Sequence, residues 1–233
     1  MNAIILAAGM GTRLRPFTET LPKSMLMLGK NETIIGRTIR QLEKRIDGQI
    51  IVATGYMKDK FSCYSDHCTL VHNPFYGVTN SIASLWFCRE YLNDDVFLIN
   101  GDVVLEDKLF DFILGHQNEG FVCVDHSRAK EGDYNVAINA DHIVMMSKEL
   151  TNPDAEYAGV TLLKKDAARA LCTCVESLVE NDQINEWYEN ALVHMILHDD
   201  FKLNYLDISQ YQWTEVDCAD DFLRARIIYE QEK

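Results

Sequence analysis

Proline is scarce in this chain, four in 233 residues, and no stretch is rich in serine and glycine or low in complexity. Nothing marks a linker, and the length fits one large α/β domain over 1–233 better than two complete ones. Long apolar runs are lacking as well. None approaches the roughly 18 residues of a spanning helix, and no basic stretch precedes the short apolar run from Ala3 to Ala8. The expected location is the cytoplasm, away from any membrane. Positive charge is in deficit: 22 Lys and Arg stand against 36 Asp and Glu, a net charge of −14. Such a surface repels phosphate backbones, which excludes nucleic acid as a main partner. The seven cysteines are thinly spread without a C-x-x-C pair, which excludes a disulfide scaffold. Reduced thiols, mostly buried, are expected.

What is present is an alternation of strand and helix signals. Ala3 to Ala8 is continuously apolar and runs into Gly9-Met10-Gly11, the pattern of a strand buried on both faces followed by a tight turn. Ile35, Ile39, Leu42 and Ile46 follow helical spacing, and Gln49 to Thr54 is a second buried strand. Thr79 or Asn80 can cap a helix carrying Ile82, Leu85, Trp86 and Leu92, ahead of a strand at Val96–Ile99. A further helix is expected at Leu105–His116 and a strand at Gly120–Val124. This order predicts a doubly wound, mostly parallel Rossmann-like sheet. From about 130 to 165 the pattern changes to short alternating pieces, predicting a small antiparallel insertion. Helices are expected over 165–181 and 183–198, a strand near Leu203–Asp207, and a last helix from Asp220.

The strongest chemical signal is Leu6-Ala7-Ala8-Gly9-Met10-Gly11-Thr12-Arg13-Leu14-Arg15-Pro16 with Pro22-Lys23 seven residues on. Glycines after a central strand let backbone N–H groups approach phosphate oxygens, and Arg13 and Lys23 add charge where a triphosphate would lie. Two glycines alone would fit an ordinary β-α turn better; the full stretch with Pro22-Lys23 reverses that preference in favour of a polyphosphate cradle. A dinucleotide fold would want glycine where Leu14 stands, and the Gly-Lys-Ser/Thr of a P-loop is absent.

At these residues the chain resembles the nucleotidyltransferase family of the sugar-nucleotide pyrophosphorylase type, which joins a nucleoside triphosphate to a phosphorylated small molecule and releases pyrophosphate. The resemblance extends along nearly the whole chain. Asn100-Gly101-Asp102 is similar to the family's Gly-Asp, and Trp213-Thr214-Glu215-Val216-Asp217 to its late E-x-D segment. It implies Mg2+ as cofactor, held by Asp102 and Asp217 with Glu215 as an accessory ligand; hard oxygen ligands of this kind suit Mg2+. Ser147-Lys148-Glu149-Leu150 followed by Glu156-Tyr157-Ala158-Gly159 resembles the segments in which a lysine grips the acceptor's phosphate and a strand lines its pocket. Arg13, Lys23 and Lys148 are thereby the catalytic cations. Leu6 to Thr12, Gly55, Tyr56, Thr79, Asn80, Ser81 and Gly101 are the nucleotide-binding candidates.

The stretch Asn73-Pro74-Phe75-Tyr76-Gly77-Val78-Thr79-Asn80-Ser81 most resembles the short cytidylyltransferases acting on phosphocholine or related aminoalkyl phosphates and phosphonates. CTP and such an acceptor are the implied substrates, and a homodimer is left open. An ammonium head would be met by aromatic faces and carboxylates. Tyr134, Tyr157, Trp187, Tyr188, Tyr211 and Trp213 are available, with Asp133, Glu156 and Glu189 nearby; Glu156, Tyr157, Trp187 and Trp213 are the acceptor-binding candidates. Two rivals stand beside this expectation: a sugar-1-phosphate enzyme using UTP or dTTP, and a nucleotide-binding regulatory domain without turnover. His194 and His198, the Cys63-His67-Cys68-His72 group and Cys172 with Cys174 lack metal-site companions at the right spacing.

Overall fold

The computed structural model describes residues 1–128 and 134–232. In chain order the elements are β1 (Asn2–Ala7), α1 (Ile34–Glu43), β2 (Ile50–Thr54), β3 (Thr69–His72), α2 (Ser81–Phe87), β4 (Val96–Asn100), β5 (Val103–Leu105), α3 (Asp107–Gly115), β6 (Phe121–Asp125), β7 (Asn135–Asn139), β8 (His142–Ser147), β9 (Ala155–Leu163), α4 (Lys165–Glu180), α5 (Glu189–His198), β10 (Leu203–Asp207), β11 (Trp213–Glu215) and α6 (Ala219–Gln231). Nine strands form one sheet in the order β3-β2-β1-β4-β9-β6-β10-β8-β7, and β5 and β11 form a separate ribbon.

The expected α/β sheet is present but mixed, with β8 and β9 running against the other strands. β3, β2, β1 and β4 run parallel, as do β6 and β10. β9, however, lies between β4 and β6 and is antiparallel to both. The segment expected as an antiparallel insertion does form antiparallel strands, but they are part of the main sheet. Its first residues fall outside those described, and its last strand, β9, is buried along all nine residues at the centre of the sheet. Only β7 and β8 form an antiparallel margin, joined to β9 and β10.

Both faces of the sheet are covered, as a doubly buried sheet requires. α2, α4 and α5 pack on one face through Leu85, Leu171, Val175 and Leu192, and α1 and α3 on the other through Ile35, Ile39, Leu109 and Ile113. The α1 helix starts where Thr33 Oγ1 accepts from the Gly36 N–H at 2.9 Å, satisfying a donor that the first turn leaves without a helical partner. α2 is shorter than its apolar spacing predicts: it ends at Phe87, and Leu92 follows a separate turn. α5 begins at Glu189 rather than 183. The segment before it is tied to the start of α2 instead, the Asn80 N–H donating to Ile184 O and the Ile82 N–H to Glu186 O. No cysteine is disulfide-bonded; Cys88, Cys123 and Cys174 are buried, but Cys63 and Cys218 are exposed, so burial holds for fewer of them than expected. Among the described residues no helix is long and apolar enough to cross a membrane.

Candidate active site

The carboxyl ends of β1 and β4 open into a cavity of about 320 Å³, the position where open α/β sheets bind ligands. Its floor is the turn after β1. Gly11 adopts φ 58°, and a Cβ there would lie 2.9 Å from Lys23 Cβ, so glycine lets this turn close against the lysine. Thr18 Oγ1 fastens the turn by donating to Gly11 O at 2.7 Å. Gly55 serves a different need: a Cβ would come within 2.6 Å of both Ala8 O and Tyr76 Cβ. The Tyr56 N–H donates to Ala8 O at 3.0 Å, fixing the end of the β2 turn against the floor.

Two carboxylates far apart in sequence meet above this floor. Asp102 immediately precedes β5 and Asp217 follows β11; the ribbon pairs Glu215 with Val103, and the Val216 N–H donates to Asp102 O at 3.0 Å. That register sets the two side chains side by side. Lys23 Nζ is ion-paired with Asp102 Oδ2 and with Asp217 Oδ1, the latter at 2.8 Å, and Arg13 Nη2 reaches Asp217 Oδ1 at 2.8 Å. Burial would depress the Lys23 ammonium, but Asp102 and Asp217 overcome this and raise it above its ordinary value. Asp102 Oδ1 is buried without a hydrogen-bond partner, an oxygen in want of a cation or donor. Glu215 is held well above the usual carboxyl range by burial and then by Asp102 and Asp217, which favours its neutral form. Among the described residues no three acidic, histidine or cysteine side chains enclose a metal by themselves. Mg2+ held by one or two carboxylates and completed by substrate phosphates does not require that, and the Asp102–Asp217 pair fits it.

Lys148, Tyr134, Tyr157, Trp187 and Glu189 line the same cavity. Lys148 Nζ lies 4.2 Å from the centroid of the Trp187 ring, a cation–π distance. The Tyr134 hydroxyl donates to Asn190 Oδ1 at 2.6 Å, and the Tyr157 hydroxyl is bonded to Thr161 Oγ1 at 2.8 Å and to the Tyr188 hydroxyl. Glu189, 3% exposed, is pushed up to about 7, mainly by burial. A third group of residues, Tyr76, Thr79, Asn80, Ser81 and Ser84, lines the side between β3 and α2.

A model of the MobA-like NTP transferase domain matches residues 3–170. The chain belongs to the MobA-like NTP transferase domain family. The bifunctional protein GlmU of Methanocaldococcus jannaschii is 27% identical over 230 residues, 97% of this chain and 53% of that protein. The choline-phosphate cytidylyltransferase of Haemophilus influenzae is 36% identical over 112 residues, 47% of each chain. The chain thus spans about half the length of these curated relatives. A solved structure of the CTP:phosphocholine cytidylyltransferase of Streptococcus pneumoniae superposes with a TM-score of 0.78, covering 98% of both chains at 21% identity; this likeness is one of fold.

This NTP transferase domain brings together most of the residues singled out by sequence. Leu6, Ala7, Ala8, Gly9, Gly11, Thr12, Arg13, Lys23, Thr79, Asn80, Ser81, Gly101, Asp102, Lys148, Tyr157, Trp187, Glu215 and Asp217 all line the cavity. Met10, Gly55, Tyr56, Glu156 and Trp213 do not. Gly55 and Tyr56 brace the floor from behind. Glu156 precedes Tyr157 on β9, and since neighbours on a strand face opposite ways, Tyr157 alone reaches the cavity. Trp213 is 2% exposed; its Nε1 donates to Asp125 Oδ2 at 2.8 Å and Arg128 stacks on its ring at 4.3 Å, so its polar atom and one face are already engaged within the protein. Asp133 lies outside the described residues. The cavity adds Ser24, Tyr76, Ser84, Asn100, Tyr134 and Glu189 to the residues selected by sequence. Ser84 had a usable signal, since it lies four and three positions after Asn80 and Ser81 and so shares their helical face.

Proposed function

We propose that this domain is a Mg2+-dependent cytidylyltransferase that moves CMP from CTP to a small aminoalkyl phosphate or phosphonate. The observation that carries the reading is a single cavity lined both by the Lys23-bridged Asp102 and Asp217 and by Lys148, Trp187 and Glu189. The names of the choline-phosphate and 2-aminoethylphosphonate cytidylyltransferases among its relatives support CTP as the nucleotide and the broad class of acceptor. Asp102 and Asp217 would hold Mg2+, with Glu215 beside them. When bound, the ion neutralises phosphate charge and orients the reacting oxygens.

The remaining chemistry belongs to the chain. Lys148 holds the acceptor's phosphate so that one of its oxygens attacks the α-phosphorus of CTP, forming a P–O bond as the bond to the bridging oxygen of the β-phosphate breaks. Pyrophosphate leaves with that electron pair. Arg13, Lys23 and the amides of the Gly9–Gly11 turn stabilise the negative charge that develops on it. No side-chain nucleophile takes part.

A second reading, transfer of a nucleotide to a sugar 1-phosphate, stands beside it, since the fold is shared with a putative glucose-1-phosphate thymidylyltransferase of Bacillus anthracis, with a TM-score of 0.73 over 98% of this chain. Pyrophosphate release decides between them. CTP, UTP, dTTP, ATP and GTP are each crossed with phosphocholine, phosphoethanolamine, 2-aminoethylphosphonate and glucose 1-phosphate. Turnover restricted to CTP with an amino-bearing acceptor is expected; turnover with glucose 1-phosphate instead would assign the sugar reading. Nucleotide binding with no turnover would point to a regulatory domain.

A further inference from the structure

Resting on the aminoalkyl reading above, we infer that Glu189 makes this site selective for an acceptor whose ammonium retains at least one N–H, against one that is fully alkylated. Glu189 opens α5 and is almost completely buried in the wall of the cavity, yet its Oε2 has no hydrogen-bond partner. An acceptor oxygen in that state costs stability unless something supplies a donor. The neighbouring hydroxyls are committed elsewhere: Tyr134 donates to Asn190, and Tyr157 is tied to Thr161 and Tyr188. The Asn100 side chain and the Lys148 charge also act on this carboxyl group, yet Oε2 itself stays without a donor, and the donor it lacks is one that a bound molecule brings.

The aromatic surface beside Glu189 points the same way. A quaternary ammonium is recognised through aromatic faces because it has no hydrogen to donate. Trp187 is the exposed ring of this wall, and its face already carries the Lys148 ammonium at 4.2 Å. A trimethylated head would meet a desolvated carboxylate that it cannot hydrogen-bond and an indole that has a cation. A primary, secondary or tertiary ammonium satisfies Glu189 Oε2 with a charge-assisted bond, the stronger class of hydrogen bond.

A graded series tests this directly: phosphoethanolamine and its N-methyl, N,N-dimethyl and N,N,N-trimethyl derivatives, which carry three, two, one and no N–H, each assayed with CTP and Mg2+ by pyrophosphate release. Wild-type kcat/KM is expected to fall by about tenfold or more at the last methylation, the size of an unmet hydrogen bond to a charged group. Glu189→Leu is expected to level the last step while leaving KM for CTP unchanged, and that unchanged KM reports an intact fold. Equal or better use of the trimethyl compound by the wild type would overturn the inference and leave the cytidylyltransferase reading standing, as would an unchanged last step in Glu189→Leu. Turnover with glucose 1-phosphate and with no member of the series would overturn the reading itself.

Discussion

Lys23 is the residue on which the charge balance of the site turns. It bridges Asp102 and Asp217, so the two carboxylates stay close without the repulsion that an unscreened pair would suffer. Replacing either by asparagine removes one negative charge from a cluster that already holds two cations. Asp102→Asn and Asp217→Asn should therefore remain folded, with melting temperatures within a few degrees of wild type, while pyrophosphate release falls by about 100-fold or more. Thermal unfolding and the rate assay check the two halves separately. Glu189 behaves in the opposite sense, because its burial weakens the fold. Its carboxyl titrates at about 7 in the native chain against an ordinary 4.5. Below 4.5 both states are protonated and there is no penalty. Between the two values the unfolded chain releases a proton that the fold retains, so stability falls as pH rises and levels off above 7. Glu189→Gln should accordingly raise the melting temperature at pH 8, by up to about 3 kcal/mol in stability, and leave it nearly unchanged at pH 4. Calorimetry at the two pH values would show it; an equal effect at both would mean that the charge is not the cause.

Among the elements, the β5–β11 ribbon and the start of α6 decide where Asp217 stands. Asp221 Oδ2 accepts from the Asp217 N–H at 3.1 Å and from the Cys218 N–H at 2.9 Å, so the first turn of α6 and the metal-ligand candidate share one carboxylate. Asp221→Ala is expected to lower stability by about 1 kcal/mol, as the loss of a helix cap does. It should also slow pyrophosphate release severalfold at saturating CTP, because the backbone carrying Asp217 is loosened. Urea denaturation alongside steady-state rates measures both, and a wild-type rate would remove Asp221 from the positioning of the site. The same elements show why some features could be read from sequence and others could not. The turn after β1, Asp102 and Asp217 are each announced by a few contiguous residues whose chemistry depends on local geometry. The direction of β9 has no such mark: a strand buried on both faces reads as the same apolar run whether its neighbours are parallel or antiparallel. Trp213 illustrates the converse. Its aromatic ring made it a candidate for the acceptor's ammonium, whereas its partners Asp125 and Arg128 come from β6 and the turn after it, about 90 residues earlier. Glu189 went unselected for a related reason, since the pocket it lines exists only once α5 has packed against α4 and β8.

On the scale of the whole molecule, distant parts of the chain are clasped at one buried cation. Arg37, on α1 and 1% exposed, donates to Leu105 O at 2.6 Å and to Gln41 Oε1 at 2.9 Å, and its Nη2 pairs with Glu232 Oε2 at 2.5 Å. Glu232 Oε1 in turn accepts from the Asp107 N–H at the start of α3, also at 2.5 Å. Three helices and the end of β5 are thus joined through two side chains, on the side of the ribbon opposite Asp102. Removing one partner of such a pair leaves the other charge buried and uncompensated, which typically costs 3–5 kcal/mol, whereas replacing both by apolar groups can be nearly neutral. Because Glu232 keeps some contact with water, Glu232→Ala should fall at the lower end, about 3 kcal/mol by urea denaturation. Arg37→Met should cost a similar amount, and the double variant less than the sum of the two. A double-mutant cycle that came out additive would mean that the two side chains act independently. If the clasp works as described, the single variants also lower the rate of pyrophosphate release, since Leu105 and Asp102 lie at opposite ends of the short strand that orients the site.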